Sequence, residues 1–290
     1  MKILILGSNG QLGLSLQDQF SGGNYQIILS SRSDNDVADV AVTVKYIVTI
    51  NPDVIINASA YTAVDKAEVD EDAADQMNHV AVANIANICA EIGCWFVHIS
   101  TDYVFDGLAH HPYDENHEGN PQSVYGKTKL RGEMAVKRAG CKYVIIRTAW
   151  VFSEYGSNFL KTMIRVGAQN EDLNIVEDQI GCPTYAQDLA VTICNLLPLI
   201  ESEEMREGIY HYCGDSPCSW YGFAQIIFYE AEKLGMRVPL RVHPIKTINY
   251  PTPAARPAFS VLDCNKIQQL PNIVTSDWRL AIGKVLKKIL

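Results

Sequence analysis

Short, unbroken apolar runs alternate with segments of helical spacing over the first half of the chain. Unbroken runs of this kind are typical of parallel strands that are buried on both faces. They predict strands at 3–6, 25–29, 53–57 and 94–99. Apolar residues recur at helical spacing from Leu12 and again between Met77 and Cys89. Strands that alternate with helices predict an α/β fold built on a doubly wound parallel sheet.

The pattern is less regular after residue 150. It predicts helices at 158–166, 185–197, 219–234 and 278–290, and strands at 173–176, 208–213 and 241–245. The prolines between Pro251 and Pro257 exclude a regular helix or a central strand there. We therefore expect one domain over 1–150 and a smaller lobe over 151–290, some of whose segments return to the sheet layer.

Charge and cysteine content narrow the possible partners. The formal net charge of -9 argues against a nucleic-acid partner, which would need clustered Lys and Arg. No apolar run approaches the length of a membrane span, so we expect no membrane partner and a cytoplasmic location.

The 8 cysteines contain no C-x-x-C pair and no zinc pattern, so we expect reduced, mostly buried thiols and no metal.

Three glycines follow the first strand at three-residue spacing: Gly7, Gly10 and Gly13. A strand, a glycine turn and a helix in this order suit a diphosphate, because the backbone can approach it closely. The N-terminus of the helix also offers N–H groups and partial positive charge. At residue 7, directly after a buried strand, the triplet predicts a dinucleotide site in a Rossmann domain spanning 1–150.

The end of the second strand bears on which dinucleotide binds. An acidic residue there would hold the adenosine ribose and select NAD. This chain instead runs through Ser30 and Ser31 into Arg32, which leaves room and charge for a 2′-phosphate. The sequence therefore favours NADP(H) over NAD(H). Arg32 as a solvated surface residue, with Asp34 or Asp36 on the ribose, remains an alternative.

Residues of candidate chemistry follow several of the predicted strands. Ligands of doubly wound sheets bind beyond the carboxyl ends of the strands. These ends are marked here by Gly7, Ser30, Ala58, Thr101 and Trp150. We expect them to share one crevice.

A tyrosine and a lysine four residues apart, Tyr125 and Lys129, begin a predicted helix and project from one face of it. An ammonium near a phenol would lower the pKa of the tyrosine toward neutrality and make it a general acid/base. Across the crevice, Thr101 could hold a substrate carbonyl or alcohol. The Y-x-x-x-K spacing alone is common in proteins. In a chain that also has a Rossmann glycine turn, it favours a catalytic role for the two residues.

Together these motifs resemble the extended short-chain dehydrogenases/reductases, and among them the dTDP-4-dehydrorhamnose reductase family. The similarity extends from residue 7 to about 257. It is carried by the glycine turn, Asn-Ala-Ser-Ala at 57–60, Thr-Ala-Val-Asp-Lys-Ala-Glu at 62–68, Ser-Thr-Asp-Tyr-Val-Phe-Asp-Gly at 100–107, Tyr-Gly-Lys-Thr-Lys at 125–129, Arg-Thr-Ala-Trp at 147–150, Asp-Gln-x-Gly-x-Pro-Thr at 178–184 and Pro-Thr-Pro-Ala-x-Arg-Pro at 251–257.

The resemblance implies that NAD(P)H reduces the 4-keto group of dTDP-4-dehydro-L-rhamnose to give dTDP-L-rhamnose. Tyr125 would donate the proton, Lys129 would tune it and hold the nicotinamide ribose, and Thr101 would polarise the ketone. The implied cofactor contacts also include Gly10, Gln11, Leu12, Asp39, Val40, Ala60, Tyr61 and Thr62. The implied sugar-nucleotide contacts are Thr101, Asp102, Tyr103 and Trp150. The proline-stiffened loop at 251–257 could also hold Arg256 over the crevice, where a guanidinium suits a diphosphate, although a rigid surface loop remains an alternative.

Two features depart from the family pattern. Ser30 stands where members often carry an acidic residue, which leaves the cofactor preference open. Some members hold magnesium at a dimer interface through glutamates, and the C-terminal KVLKKIL offers no matching glutamate, so we expect no metal. A homodimer is possible.

Two other functions remain open. A nucleotide-sugar epimerase or dehydratase could use the same scaffold, although Tyr103 follows Asp102 where a dehydratase would place a second acid. A cofactor-binding regulatory subunit, similar to the beta subunit of methionine adenosyltransferase, is the other alternative. The intact Thr101, Tyr125 and Lys129 favour an enzyme.

Overall fold

A six-stranded parallel sheet forms the centre of the computed structural model, which describes residues 1–21 and 25–290. The strands are β1 (Lys2–Leu6), β2 (Gln26–Ser30), β3 (Val54–Asn57), β4 (Trp95–Thr101), β5 (Lys142–Thr148), β6 (Val151–Phe152), β7 (Asp172–Val176), β8 (Ile180–Gly181), β9 (Thr184–Tyr185), β10 (Gly208–His211), β11 (Cys218–Ser219) and β12 (Arg241–Ile245). The α-helices are α1 (Gln11–Phe20), α2 (Val40–Ile50), α3 (Val64–Ala67), α4 (Glu71–Asp75), α5 (Ala81–Ile92), α6 (Val124–Ala139), α7 (Phe159–Gln169), α8 (Ala186–Glu201), α9 (Trp220–Lys233), α10 (Asn265–Gln268) and α11 (Trp278–Ile289). A π-helical turn at Gln76–Val80 and 3₁₀ turns at Asp102–Val104 and Thr247–Asn249 complete the helical segments.

The sheet order is β10-β5-β4-β3-β1-β2, and every neighbouring pair is parallel. Chain order reverses between β1 and β3, which makes this the topological switch point where ligands of such sheets bind. The predicted doubly wound parallel sheet is confirmed. In-register pairing brings the carboxyl ends of β1 to β5 to one edge, so the predicted strand-end residues lie along that edge.

Successive residues of β1 point to opposite faces of the sheet, as the strand period of two requires. Ile3 and Ile5 pack with α1 and α8 in one core cluster, whereas Leu4 and Leu6 pack with α2, α5 and α6 in another. Both faces are therefore covered by helices, which explains why the strands read as unbroken apolar runs.

Residues after 150 contribute to two parts of the fold, the central sheet layer and a separate core. β10 pairs with β5 at the sheet edge, and α8 packs beside α1. A separate core lies under α7, α9 and α11 around Phe223 and Trp278, both fully buried. The division at residue 150 stays a prediction.

The predicted helix at 77–89 differs from the structure in its first part. A π-helical turn at Gln76–Val80 precedes α5, and the buried Asn78 lies on this turn. Its carbonyl oxygen packs against Gly132 of α6, where a Cβ would collide with it. A π turn re-aims one residue of a helix without ending it, and here it turns Asn78 toward α6.

The helix α2 has no counterpart among the sequence-based predictions. Its sequence, VAVTVKYIVTI, is rich in β-branched residues, which are poor helix formers. Two features offset this preference: the Asp39 carboxylate caps the helix by accepting from the Val42 N–H at 3.1 Å, and Ile47 is buried in the core. Within the described part of the chain, no helix combines the length and apolarity that crossing a bilayer requires.

Candidate active site

The glycine turn is shaped by close backbone contacts. Gly7 has a φ of +78°, and a Cβ there would lie 2.7 Å from the Ser59 nitrogen. A Cβ on Gly13 would collide with the Gly7 carbonyl. Gly10 precedes α1, and among the described residues no side chain caps that helix. The first-turn N–H groups thus remain available at a narrow cradle, which fits a diphosphate.

The side chains of Gln11 and Leu12 are engaged within the protein. The Gln11 side-chain oxygen accepts hydrogen bonds from Ser153 at 2.9 Å and Asn158 at 2.8 Å. The Leu12 side chain is buried in the core. Backbone N–H groups are therefore what these two residues can offer a ligand, while Gln11 ties the turn to the β6–α7 connection.

Beyond β2, both nearby carboxylates have partners. The backbone N–H of Ser31 donates to Asp34 at 2.8 Å and its hydroxyl at 2.6 Å, and these bonds lower the pKa of Asp34. Arg32 pairs with Asp36 at 3.2 Å, yet its side chain is 81% exposed. The arrangement leaves a solvent-exposed guanidinium beside the strand end. Asp39 is exposed and caps α2, with Val40 beginning that helix.

The segment of Ala60, Tyr61 and Thr62 is held by Asn78, a residue that the sequence analysis did not single out. The Asn78 amide accepts from the Tyr61 N–H at 2.8 Å and donates to the Tyr61 carbonyl at 3.1 Å. It also lies 3.1 Å from the Thr128 hydroxyl of α6. The sequence could have indicated Asn78, because a polar asparagine on the apolar face of a predicted helix needs hydrogen-bond partners.

The start of α6, which carries Tyr125, is fixed by two side chains. Ser123 caps the helix by accepting from the Gly126 N–H at 3.1 Å, and Glu68 accepts from the Val124 N–H at 2.8 Å. The Tyr103 ring packs edge-on against the Tyr125 ring, with centroids 5.5 Å apart. Tyr125 therefore has a defined, buried position.

Lys129 lies one turn further along α6 and is almost fully buried. Its ammonium donates to the Ile99 carbonyl at 2.6 Å and lies 3.5 Å from Nε2 of His98. Burial lowers the pKa of Lys129 to about 8, and the nearby charge of Glu133 opposes that change. His98 also meets Asn57 at 3.2 Å, so it is a satisfied core residue.

The expected pKa of Tyr125 is wrong. Burial raises the pKa of this phenol above its ordinary value, and the charge of Asp102 adds to the rise while the Thr101 hydroxyl opposes it. The physical reason is that the Lys129 ammonium is directed at the Ile99 carbonyl. Tyr125 thus keeps its proton at neutral pH, which is the form that can donate to an alkoxide.

Thr101 and Asp102 lie together at the end of β4. The Thr101 hydroxyl donates to Asp102 at 3.0 Å and accepts from the Tyr103 N–H at 3.2 Å. Burial raises the pKa of Asp102 to about 6. Its second carboxylate oxygen has no hydrogen-bond partner among the described residues. A buried oxygen of this kind is costly unless a polar group meets it, which fits a hydroxylated ligand.

Arg256 joins this cluster from the proline-rich loop. It donates to the Tyr103 hydroxyl at 3.0 Å and to Asp65 at 2.7 Å, and Asp65 also accepts from the Ala254 N–H at 3.3 Å. The guanidinium borders a cavity of about 300 Å³. The other residues lining the cavity are Phe159, Thr162, Met163, Asn174, Ile175, Val176, Gln179, Trp220, Tyr250 and Thr252.

Trp150 lies behind this cavity. Its ring stacks on Trp220 with centroids 3.5 Å apart, and a Cβ on Gly181 would collide with it. Trp220 donates to Gln179 at 3.2 Å. Asp65 and Gln179 were not predicted as site residues, although both stand within motifs that carried the family resemblance.

No group of three or more His, Cys, Asp or Glu side chains is arranged to hold a metal ion within residues 1–21 and 25–290. The constellation instead combines a phosphate cradle, a buried phenol and hydroxyl, a buried lysine, and an arginine at a neighbouring cavity. Chemically, this set can hold a dinucleotide, polarise a carbonyl and deliver a proton.

Known proteins match the chain over its whole length. The family model of the RmlD substrate binding domain matches residues 1–290. A dTDP-4-dehydrorhamnose reductase of Aggregatibacter actinomycetemcomitans is 41% identical over 288 residues, 98% of each chain. The crystal structure of such a reductase from Clostridium acetobutylicum has a TM-score of 0.92 at 40% identity, covering 100% of this chain and 99% of that one. The Bacillus anthracis reductase, solved in complex with NADP, has a TM-score of 0.90 at 36% identity, covering 99% of each chain.

Proposed function

The chain belongs to the dTDP-4-dehydrorhamnose reductase family, and from this premise we propose that it reduces the 4-keto group of dTDP-4-dehydro-L-rhamnose with NADPH, giving dTDP-L-rhamnose. One observation carries the assignment of roles. Thr101, Tyr125 and Lys129 are all buried at the carboxyl edge of the sheet, on the same edge as the glycine turn.

The cradle of Gly7, Gly10 and Gly13 fits the cofactor diphosphate, with the first-turn N–H groups of α1 as donors. When bound, NADPH supplies the hydride. The exposed guanidinium of Arg32 supports a preference for NADPH, because it can leave Asp36 to meet a 2′-phosphate. The relative of known structure from Bacillus anthracis also binds NADP. NADH remains the alternative electron donor.

Tyr125 is the proposed proton donor. Its raised pKa keeps the phenol protonated at neutral pH, so it can give its proton to the oxygen at C4 as that oxygen becomes an alkoxide. The Thr101 hydroxyl would turn from Asp102 to donate to the same oxygen. Lys129 would turn from the Ile99 carbonyl to hold the nicotinamide ribose, and from there its ammonium would stabilise the resulting tyrosinate until water returns the proton.

Residues of the 151–290 lobe support binding of the sugar nucleotide. Arg256 would donate to the diphosphate, for which a fixed guanidinium is well suited. The apolar and aromatic lining of the neighbouring cavity would take the nucleoside. From the 1–150 domain, Asp102, Tyr103 and Trp150 would meet the sugar. We therefore assign this lobe mainly to the substrate, and its separate core around Trp278 supports that assignment.

We also propose that the enzyme works in the cytoplasm, where its 8 free cysteines would remain reduced. A homodimer stays a prediction.

A panel of sugar nucleotides assayed with NADPH and NADH in parallel tests the function. We expect oxidation of NADPH with dTDP-4-dehydro-L-rhamnose, and slower oxidation of NADH. An epimerase would interconvert sugars without net consumption of reduced cofactor, and a regulatory subunit would bind NADPH without turnover. Either of these results would contradict the proposal.

A further inference from the structure

A buried ion pair lies behind the catalytic residues. The Arg147 guanidinium of β5 donates to both carboxylate oxygens of Glu133 on α6, at 2.9 and 2.6 Å. The two side chains are only 3% and 1% exposed. A bidentate pair fixes both the distance and the orientation of its partners, so this pair sets how α6 lies against β5.

Two further groups complete the network. The Ser100 hydroxyl of β4 donates to Glu133 at 2.5 Å. His211 of β10 lies 3.4 Å from Arg147 through Nε2 and 3.0 Å from the Tyr113 carbonyl through Nδ1. Because a carbonyl only accepts, the ring proton is on Nδ1, and Nε2 accepts from the guanidinium. Burial and the charge of Arg147 lower the pKa of His211 to about 3, consistent with a neutral ring.

The network adjoins the catalytic residues on both sides. Ser100 immediately precedes Thr101 on β4, and Glu133 lies one helical turn beyond Lys129 and two turns beyond Tyr125. Glu133 therefore contacts the strand that carries the hydroxyl and belongs to the helix that carries the phenol and the ammonium. Within the described residues, Glu133 is the only carboxylate of α6 that is hydrogen-bonded to side chains of both β4 and β5.

We propose that Glu133 is a positioning residue for the reaction: by holding Ser100 and Arg147 together it fixes the end of β4 against α6, and so sets where Thr101 lies relative to Tyr125 and Lys129. This inference rests on the proposed function. Glu133 touches neither substrate nor cofactor: its positioning effect passes through the backbone of β4, and its charge separately supports the ammonium form of Lys129.

A purely structural role makes a different prediction. Replacing both members of a buried ion pair by apolar residues of similar volume is often neutral or stabilising, whereas removing one member leaves an uncompensated charge. An apolar replacement can thus restore stability, but it cannot reproduce the bidentate geometry or the Ser100 bond. Stability and turnover should therefore separate in such a variant if the pair has a positioning role.

The experiment compares Glu133→Gln, the double variant Glu133→Leu/Arg147→Met and Ser100→Ala with the wild-type enzyme. The matched control is Asp172→Asn/Arg241→Gln, which removes an exposed bidentate pair. We expect E133Q to lower Tm and the double variant to recover most of that loss. We expect kcat of the double variant to fall about 10- to 100-fold, as a displacement near 1 Å can cause, with much smaller changes in KM for NADPH. S100A should lower kcat severalfold at nearly wild-type Tm.

A double variant with recovered Tm and wild-type kcat would overturn the proposal. If the double variant does not fold, a wild-type kcat in S100A would overturn it instead. Crystal structures of wild type and S100A give a readout that does not depend on turnover. The expected result is a displacement of Thr101 relative to Tyr125, and coincident positions contradict the inference. An inactive wild-type enzyme would instead contradict the proposed function, while the crystal structures would still decide the role of Glu133.

Discussion

The proposed catalytic cluster and the neighbouring cavity are built in opposite ways. Thr101, Tyr125 and Lys129 are 5%, 9% and 2% exposed, and they stand on a strand and a helix of the sheet layer. Arg256 comes from an irregular loop, and its partner Asp65 is 41% exposed. The contrast indicates a division of labour in which rigid elements hold the reacting groups and adaptable loops recognise the substrate.

Replacing Lys129 by Met should have the largest effect among the variants that separate the two regions. Loss of the ammonium should lower kcat on the order of 10²–10⁴-fold, because the tyrosinate left after proton transfer would be unstabilised. The Kd of the sugar nucleotide, measured by calorimetry with the oxidised cofactor, should stay near the wild-type value. A comparable loss of sugar-nucleotide binding would contradict the division of labour.

The pH profile of the wild-type enzyme sharpens the same point. Lys129 has a pKa of about 8, lowered by burial, so its charged form is present below that pH and is lost above it. We expect kcat to fall as pH rises through about 8. The Lys129→Arg variant keeps its positive charge at high pH. We expect it to have a lower kcat than wild type, but a kcat that does not fall as pH rises through about 8. A decline that persists in K129R would indicate that another group titrates.

Arg256→Gln should show the converse behaviour. Loss of a charged hydrogen bond to a diphosphate costs about 1.5–3 kcal/mol, which corresponds to an increase in KM of roughly 10- to 100-fold with little change in kcat. Arg241→Gln, which removes an exposed arginine at a distant ion pair, is the control and should leave both constants unchanged. An equal fall in kcat would place Arg256 among the reacting groups.

Asp102 links the two regions, and its ionisation should affect stability. Its pKa in the folded protein is about 6, raised from 3.8 by burial, so the folded state binds the proton more tightly than the unfolded state. Stability attributable to Asp102 is therefore present at pH 4 and is lost as pH rises to 6. Relative to wild type, Asp102→Asn should gain of order 1–3 kcal/mol in unfolding free energy between pH 4 and pH 7. Urea titrations of both proteins across this range measure the difference, and a constant difference would contradict it.

The smallest expected effect concerns the exposed end of the cofactor site. Arg32→Gln should raise KM for NADPH severalfold, since a solvated guanidinium contributes about 1 kcal/mol or less, and leave KM for NADH unchanged. Parallel assays with both cofactors measure the ratio. Equal changes for the two cofactors would mean that Arg32 does not select the 2′-phosphate.

The contrast between the regions also explains what the sequence could predict. The strands 3–6 and 53–57 and the spacing of Tyr125 and Lys129 are local patterns, so their periodicity indicated the sheet and one helical face. The helix α2 escaped prediction because its β-branched sequence becomes helical only with the Asp39 cap and tertiary packing.

Long-range electrostatics were harder to foresee. The sequence places an ammonium beside the Tyr125 phenol, but the fold directs Lys129 to the Ile99 carbonyl and buries the phenol, which raises its pKa. The contact of Arg256 with Asp65 joins residues 191 positions apart. No spacing rule reaches that far, and only the family motifs indicated that both segments belong to the site.

The most direct test of the account is the Tyr125→Phe variant, assayed for reduction of dTDP-4-dehydro-L-rhamnose by C4-deuterated NADPH. Wild-type enzyme should transfer deuterium to C4 of the sugar, with one solvent proton on the new hydroxyl. We predict that the variant binds NADPH and the sugar nucleotide with wild-type affinity and forms almost no product. Product formation at a near wild-type rate would contradict the assignment of Tyr125 as the proton donor.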